Sequence, residues 1–286
     1  MPHHDLPLAS PAAPAPRRDA APSREGAAMR ARVAAALEIG AVTLAYQPVV
    51  HAVAPERAAF HEGLVRLADR QGRPLRAQAF VAACEASDTG RALDCRALAL
   101  GLDALAARPG LRLSVNASAR SIEDPRWTAC LEARLARAPA LAERLIVEIT
   151  EHSAMACPRV VARWMDRLRR RGIAFALDDF GTGATSFRHL RDFGFDIVKI
   201  PRVFSHGVAE THEAQVLVDA LVSIARQFDM LSVAEGVEQA DDAAALMAMG
   251  VDCLQGYAFG LPAPEPRRYR RLGGRVPAAG AQARPL

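Results

Sequence analysis

Lysine is all but missing from this 286-residue chain: Lys199 stands alone beside 35 arginines. Aromatic residues are sparse at 5%, and nothing approaches the ~18 uncharged apolar residues that a membrane span needs, so none is expected. The five cysteines, Cys84, Cys95, Cys130, Cys157 and Cys253, are scattered and odd in number. They form neither a disulfide framework nor zinc-site pairs, which points to a reducing, cytoplasmic setting. Pro7, Pro11, Pro14 and Pro16 interrupt any apolar core of a signal peptide. Gly181 and Gly183 are not followed by a lysine at phosphate-loop spacing. The histidines show no metal spacing, which argues against a zinc hydrolase.

Hydrophobic residues make up 51% of the chain and charged residues 24%, an ordinary globular composition. One α/β barrel takes about 250 residues, so a single large domain fits this length. The net charge is +4, helped by Arg267, Arg268, Arg270, Arg271 and Arg275 near the C-terminus. No aromatic stripe or DNA-reading motif accompanies that run, so it reads as a solvated tail rather than a nucleic-acid site. Residues 1–27 are Pro/Ala-rich and lack apolar surface to offset their ordering entropy. They are expected to be a disordered tail, as is 272–286, leaving 28–271 as the folded domain.

Between the tails, short apolar runs alternate with helical stretches. The runs are Leu44–Val50, Ala58–Leu67, Leu111–Ser118, Leu145–Thr150, Ile173–Phe180, Ile197–Ile200, Leu231–Gly236 and Cys253–Phe259. Their lengths suit buried strands. The clearest helices are 91–107, 158–171, 207–228 and 240–249. Asp124 before Pro125 suits a helix start, and Gly172 after three arginines suits a helix stop. Eight strands with intervening helices predict a TIM-type β/α barrel of the α/β class. The first connection is too short for a helix, so the first two strands are expected to pair antiparallel.

Active sites of such barrels sit at the C-terminal strand ends. The polar residues there are Glu62, Asn116, Glu148, Asp178 with Asp179, Lys199, Glu235 and Gln255. Each alone reads as a cap, a turn former or a surface residue. Gathered at one rim, they form a hard oxygen-ligand set suited to Mg²⁺ or Mn²⁺. Arginine replaces lysine everywhere else, so Lys199 marks a place where a compact ammonium is required. Trp127 and Trp164 read as packing residues.

Eight segments in order then resemble the EAL-domain family over about residues 43–265. They are Tyr46-Gln47-Pro48-Val49-Val50, Glu62-Gly63-Leu64-Val65-Arg66, Val115-Asn116-Ala117-Ser118 and Glu148-Ile149-Thr150-Glu151. Asp178-Asp179-Phe180-Gly181-Thr182-Gly183, Lys199-Ile200, Ala234-Glu235-Gly236-Val237-Glu238 and Gln255-Gly256-Tyr257 complete the series. The resemblance implies hydrolysis of cyclic di-GMP to linear pGpG with two divalent cations, in a homodimer. It implies cation ligands at Glu62, Asn116, Glu148, Asp178 and Asp179. Glu235 would act at the metal centre, Lys199 on the attacking water, and Gln255 on metal-bound water or substrate. Gln47 and Arg66 would contact substrate, and Glu151 would brace the loop after Asp179.

The chain departs from the family pattern at three places. Gly63 replaces the family's central alanine, with little effect expected on the ligand before it. Pro201 stands where the family has an aspartate, removing a carboxylate two residues after Lys199. Ala184 and Thr185 replace the usual Tyr and Ser in a loop expected to link the metal site to the dimer interface. These changes support a second reading: a cyclic di-GMP receptor or protein-interaction module with weak or no turnover, regulating gene expression, virulence or motility.

Overall fold

A computed structural model describes residues 24–85, 87–183 and 187–266. Its centre is a closed barrel of eight strands in sequence order. The strands are β1 (Val42–His51), β2 (Ala54–Leu67), β3 (Leu113–Asn116), β4 (Leu145–Thr150), β5 (Ala174–Asp178), β6 (Ile197–Ile200), β7 (Leu231–Ala234) and β8 (Cys253–Gln255). From β2 to β8 every neighbouring pair is parallel. The expected antiparallel β1–β2 pair is present, with Gln47 opposite Glu62. β1 also runs antiparallel to β8, with Val49 opposite Gln255, and this pairing closes the barrel.

Strand alternation explains why an apolar barrel carries a polar rim. Residues two apart in a strand share a face. Phe60, Ile146, Ala176, Ile197, Val233 and Cys253 belong to one buried cluster contributed by the strands. Two residues further along come Glu62, Glu148, Asp178, Lys199, Glu235 and Gln255. The barrel is thus packed below and polar at the C-terminal ends. Its other face packs on the helices, where Trp127, Trp164 and Phe175 are buried. The two indole rings lie 5.2 Å apart, as packing residues do.

The element boundaries bring corrections. A helix spans Arg24–Glu38, so residues 24–27 do not belong to the tail expected over 1–27. Val33 and Ala36 are buried with Val42, Leu67 and Phe80, giving this segment the apolar partners that its composition understated. The helix Ala77–Cys84 was not foreseen either. The run ending at Phe259 leaves the sheet at Gln255. Gly256 passes so close to Val237 that a Cβ there would lie 2.0 Å from its carbonyl oxygen, so only glycine fits where the chain leaves the strand. Asp124 caps the helix Pro125–Leu135 by accepting from the Arg126 amide, and Gly172 has φ +94°, as a helix stop requires. Residues 1–23, 184–186 and 267–286, including Ala184, Thr185 and the arginine run, lie outside the described residues. Among the described residues no helix is long and apolar enough to cross a membrane.

Candidate active site

The rim gathers the strand-end residues around one ammonium group. Lys199 Nζ lies 2.6 Å from Glu235, 2.8 Å from Glu148, 3.2 Å from Glu62 and 3.7 Å from Asp178. Four strands or strand ends thus converge on a β6 side chain that is only 1% exposed. Neighbouring amides complete the ring. Asn116 Nδ2 donates to Glu62 Oε1 at 3.2 Å, and Gln255 Nε2 donates to Glu62 Oε2 at 2.6 Å. Gln255 also reaches Gln47 Oε1 at 3.5 Å, while Gln47 Nε2 donates to the Gly260 carbonyl at 3.4 Å.

One ammonium cannot offset this many carboxylates in a buried site, and the proton affinities divide accordingly. Burial pushes Glu62 up, but Lys199 and the Gln255 and Asn116 hydrogen bonds outweigh it and hold the carboxyl below its ordinary range. Glu148 goes the other way. Burial, together with the charge of Glu62, pushes it up to about 8. Burial raises Glu235 to about 8 against the pull of Lys199, with Asp178 and Glu62 adding to the rise. Lys199 loses by burial but is held well above its ordinary value by Asp178, Glu148, Glu235 and Glu62.

Asp179 occupies the left-handed region at φ 57°, unusual for a residue with a side chain. Burial and then the neighbouring Asp178 raise its carboxyl. The loop that follows is tied from behind: Glu151 Oε2 accepts from the amides of Gly181 at 2.9 Å and Gly183 at 3.2 Å. Glu151 is buried and bonded to this loop, and takes no place in the ring around Lys199.

The donor set fits a divalent cation. Asp178, Asp179 and Glu235 each offer an oxygen within 4.8 Å of the others'. Among the described residues Glu148 Oε1 is buried with no hydrogen-bond partner, an orphaned polar atom that a bound cation would satisfy. A cavity of about 370 Å³ adjoins these groups, lined by Arg66, Asn116, Glu148, Thr150, Asp178 and Asp179. Its far wall is apolar, with Leu64, Phe80, Val81 and Leu93. Arg66 reaches this cavity while donating to the Val65 carbonyl at 3.0 Å. Strand-end reasoning misses Asp94, which lines the same cavity from the helix Asp88–Ala107. It accepts from Ser121 Oγ at 2.7 Å and the Ser118 amide at 3.0 Å, fixing the turn after Asn116. A lone carboxylate between Leu93 and Cys95 was its only signal in the sequence.

The EAL domain family model matches residues 30–262. A cyclic di-GMP phosphodiesterase of Escherichia coli K12, PdeF, is 27% identical over 245 residues, 84% of this chain and 32% of that protein. Another from the same organism, PdeL, is 36% identical over 121 residues, covering 42% of this chain and 33% of its own length. The chain therefore spans about a third of the length of these curated relatives. Among solved structures, the phosphodiesterase PaMucR in complex with c-di-GMP superposes with a TM-score of 0.75 at 27% identity, over 83% of this chain and 98% of that one. The FimX EAL domain of Pseudomonas aeruginosa bound to c-di-GMP shares the fold, with a TM-score of 0.76 at 24% identity over 83% of this chain and 97% of its own.

Proposed function

This chain belongs to the EAL domain family, and on that premise we propose that it hydrolyses cyclic di-GMP to linear pGpG with two Mg²⁺ or Mn²⁺ ions. The observation that carries this reading is the oxygen-rich rim gathered around a single lysine beside an open cavity. Glu62, Asn116, Glu148, Asp178 and Asp179 would hold the cations, with Glu235 at the same centre. Divalent cations at such a site supply activation of water and neutralisation of phosphoryl charge.

The chain's own residues do the rest. Arg66 meets a phosphate of the substrate entering the cavity. Gln47 and Gln255 present amide groups at the rim, one toward the substrate and one toward bound water. Lys199 orients the attacking water and opposes the negative charge that builds on phosphorus. Water adds, the P–O3′ bond breaks, and the freed O3′ takes a proton, leaving a linear dinucleotide with a 5′-phosphate. Glu151 keeps the loop after Asp179 in place. The catalytic unit includes residues 30–262, the span of the family match, and acts in the cytoplasm, where unpaired cysteines persist. It works as a homodimer, supported by exposed Val203, Val216 and Leu217 on two adjoining helices.

Pro201 favours one alternative, a receptor that binds cyclic di-GMP without turning it over. One experiment separates the two. Purified protein with Mg²⁺ or Mn²⁺ is given cyclic di-GMP beside Glu62→Ala. Cation-dependent pGpG that disappears in the variant is the expected result. Tight binding with no product from the unaltered protein would replace the enzyme by the receptor.

A further inference from the structure

Glu235 lies just past the end of β7, on a loop that by itself would be free to move. Its neighbours remove that freedom from two sides. On the β8 side, the Val237 amide donates to the Gln255 carbonyl at 3.0 Å and the Ala258 amide donates to the Val237 carbonyl at 3.1 Å. On the β6 side, the Glu235 amide donates to the Ile200 carbonyl at 2.9 Å. The short helix Arg202–Ser205 supplies the remaining contacts. Ser205, fully buried, donates its hydroxyl to the Glu235 carbonyl. Arg202 donates to the Gly236 carbonyl at 3.3 Å and grips both oxygens of Glu238, one at 3.2 Å and the other closer. Gly236 is in the left-handed region at φ +65°, and a Cβ there would lie 2.5 Å from Arg202 Cγ. The arginine stem is therefore packed onto the loop as well as bonded to it.

We infer that Arg202 and Ser205 are positioning residues, which fix the backbone of Glu235 so that its carboxylate is presented to a bound cation. This rests on reading the rim as a cation site. Neither residue touches the reacting atoms. An exposed Arg–Glu pair alone contributes little to stability, so the clamp's effect lies in geometry. Groups that orient a metal ligand set its affinity even when they are not ligands.

The test uses the full chain with Ser205→Ala, Arg202→Ala, the double variant and Arg202→Lys. Mn²⁺ affinity is measured by calorimetry. Exchange of the Glu235 and Val237 amides is followed in the cation-free protein, with the melting temperature as a check on the fold. The double variant is expected to bind Mn²⁺ about tenfold more weakly. Its two loop amides should exchange about tenfold faster while those of β4 and β5 stay protected. Arg202→Lys, which keeps a charge facing Glu238, should recover part of the loss. Loop exchange and Mn²⁺ affinity both unchanged in the double variant would overturn the inference. If the unaltered protein bound no Mn²⁺, the cation reading would fall, and unchanged loop exchange would then dispose of the clamp on its own.

Discussion

At Lys199 the arithmetic of charge decides what the other side chains must do. One ammonium faces four carboxylates, and Glu148 is fully buried among them with a proton affinity raised to about 8. In the unfolded chain an ordinary glutamate ionises near pH ~4.3. Between those values the folded protein holds a proton that the unfolded chain does not, so this group's contribution to stability falls as pH rises through the window. Glu148→Gln, which mimics the protonated acid, should gain stability relative to the unaltered protein progressively as pH rises from about 5 to about 8, and the gain should level off above that. Melting temperatures of both proteins in chelator, taken across that range, check this. A difference that stays flat with pH would mean that Glu148 is ionised throughout. The ring around Lys199 was legible in the sequence because its carboxylates, the lysine and Gln255 each follow an apolar strand residue by two positions, while Asn116, which follows Ser114, showed only as the polar end of its run. Asp94, Arg202 and Ser205 were not, because their parts depend on which helix packs against which loop, and no strand period reports that.

Among elements, β2 and β3 approach each other unusually closely beside the site. Gly63 pairs with Val115 across these parallel strands. A Cβ at Gly63 would lie 3.1 Å from the Ser114 carbonyl oxygen and 3.5 Å from side-chain carbons of Leu113 and Leu44. Two effects therefore compete in Gly63→Ala, the change that restores the family's usual residue. Alanine removes the extra entropy that glycine brings to the unfolded chain, a gain of roughly 0.5–1 kcal/mol. The two strands must part by a few tenths of an ångström to admit the methyl group. The expected net change is within about 1 kcal/mol of zero by chemical denaturation, with Mn²⁺ affinity intact because the methyl points away from Glu62. A larger loss would show that the strands cannot yield and that the glycine is required here. Element positions were largely readable where apolar runs were long: β4 and β6 match their runs end to end. The helices Arg24–Glu38 and Ala77–Cys84 escaped because their weak patterns gain meaning only from Phe80, Val33 and Leu67 meeting in one cluster.

For the whole molecule, the loop after Asp179 connects the carboxylate rim to the helices outside it. A Cβ at Gly181 would lie 3.1 Å from Leu221 and 3.3 Å from Phe204. The loop thus rests on the helix His212–Gln227 and on the short helix that carries Arg202 and Ser205. The outward sides of the same two helices expose Val203 (71%), Val216 (54%) and Leu217 (44%). Apolar side chains exposed together mark association surfaces, and a second copy docking there would press on the helix that fixes Glu235. Oligomeric state and cation affinity should therefore move together. Light scattering at micromolar concentration should give twice the chain mass of 30.6 kDa for the unaltered protein, and the chain mass itself for Val203→Asp with Val216→Asp. Mn²⁺ binding should weaken about tenfold in that variant, although neither valine contacts a ligand. A monomer before any substitution would remove the dimer. A clean change from dimer to monomer with unchanged Mn²⁺ affinity would leave the dimer standing but sever its connection to the rim, since the helix Arg202–Ser205 would then hold Glu235 equally well with its outer face bare.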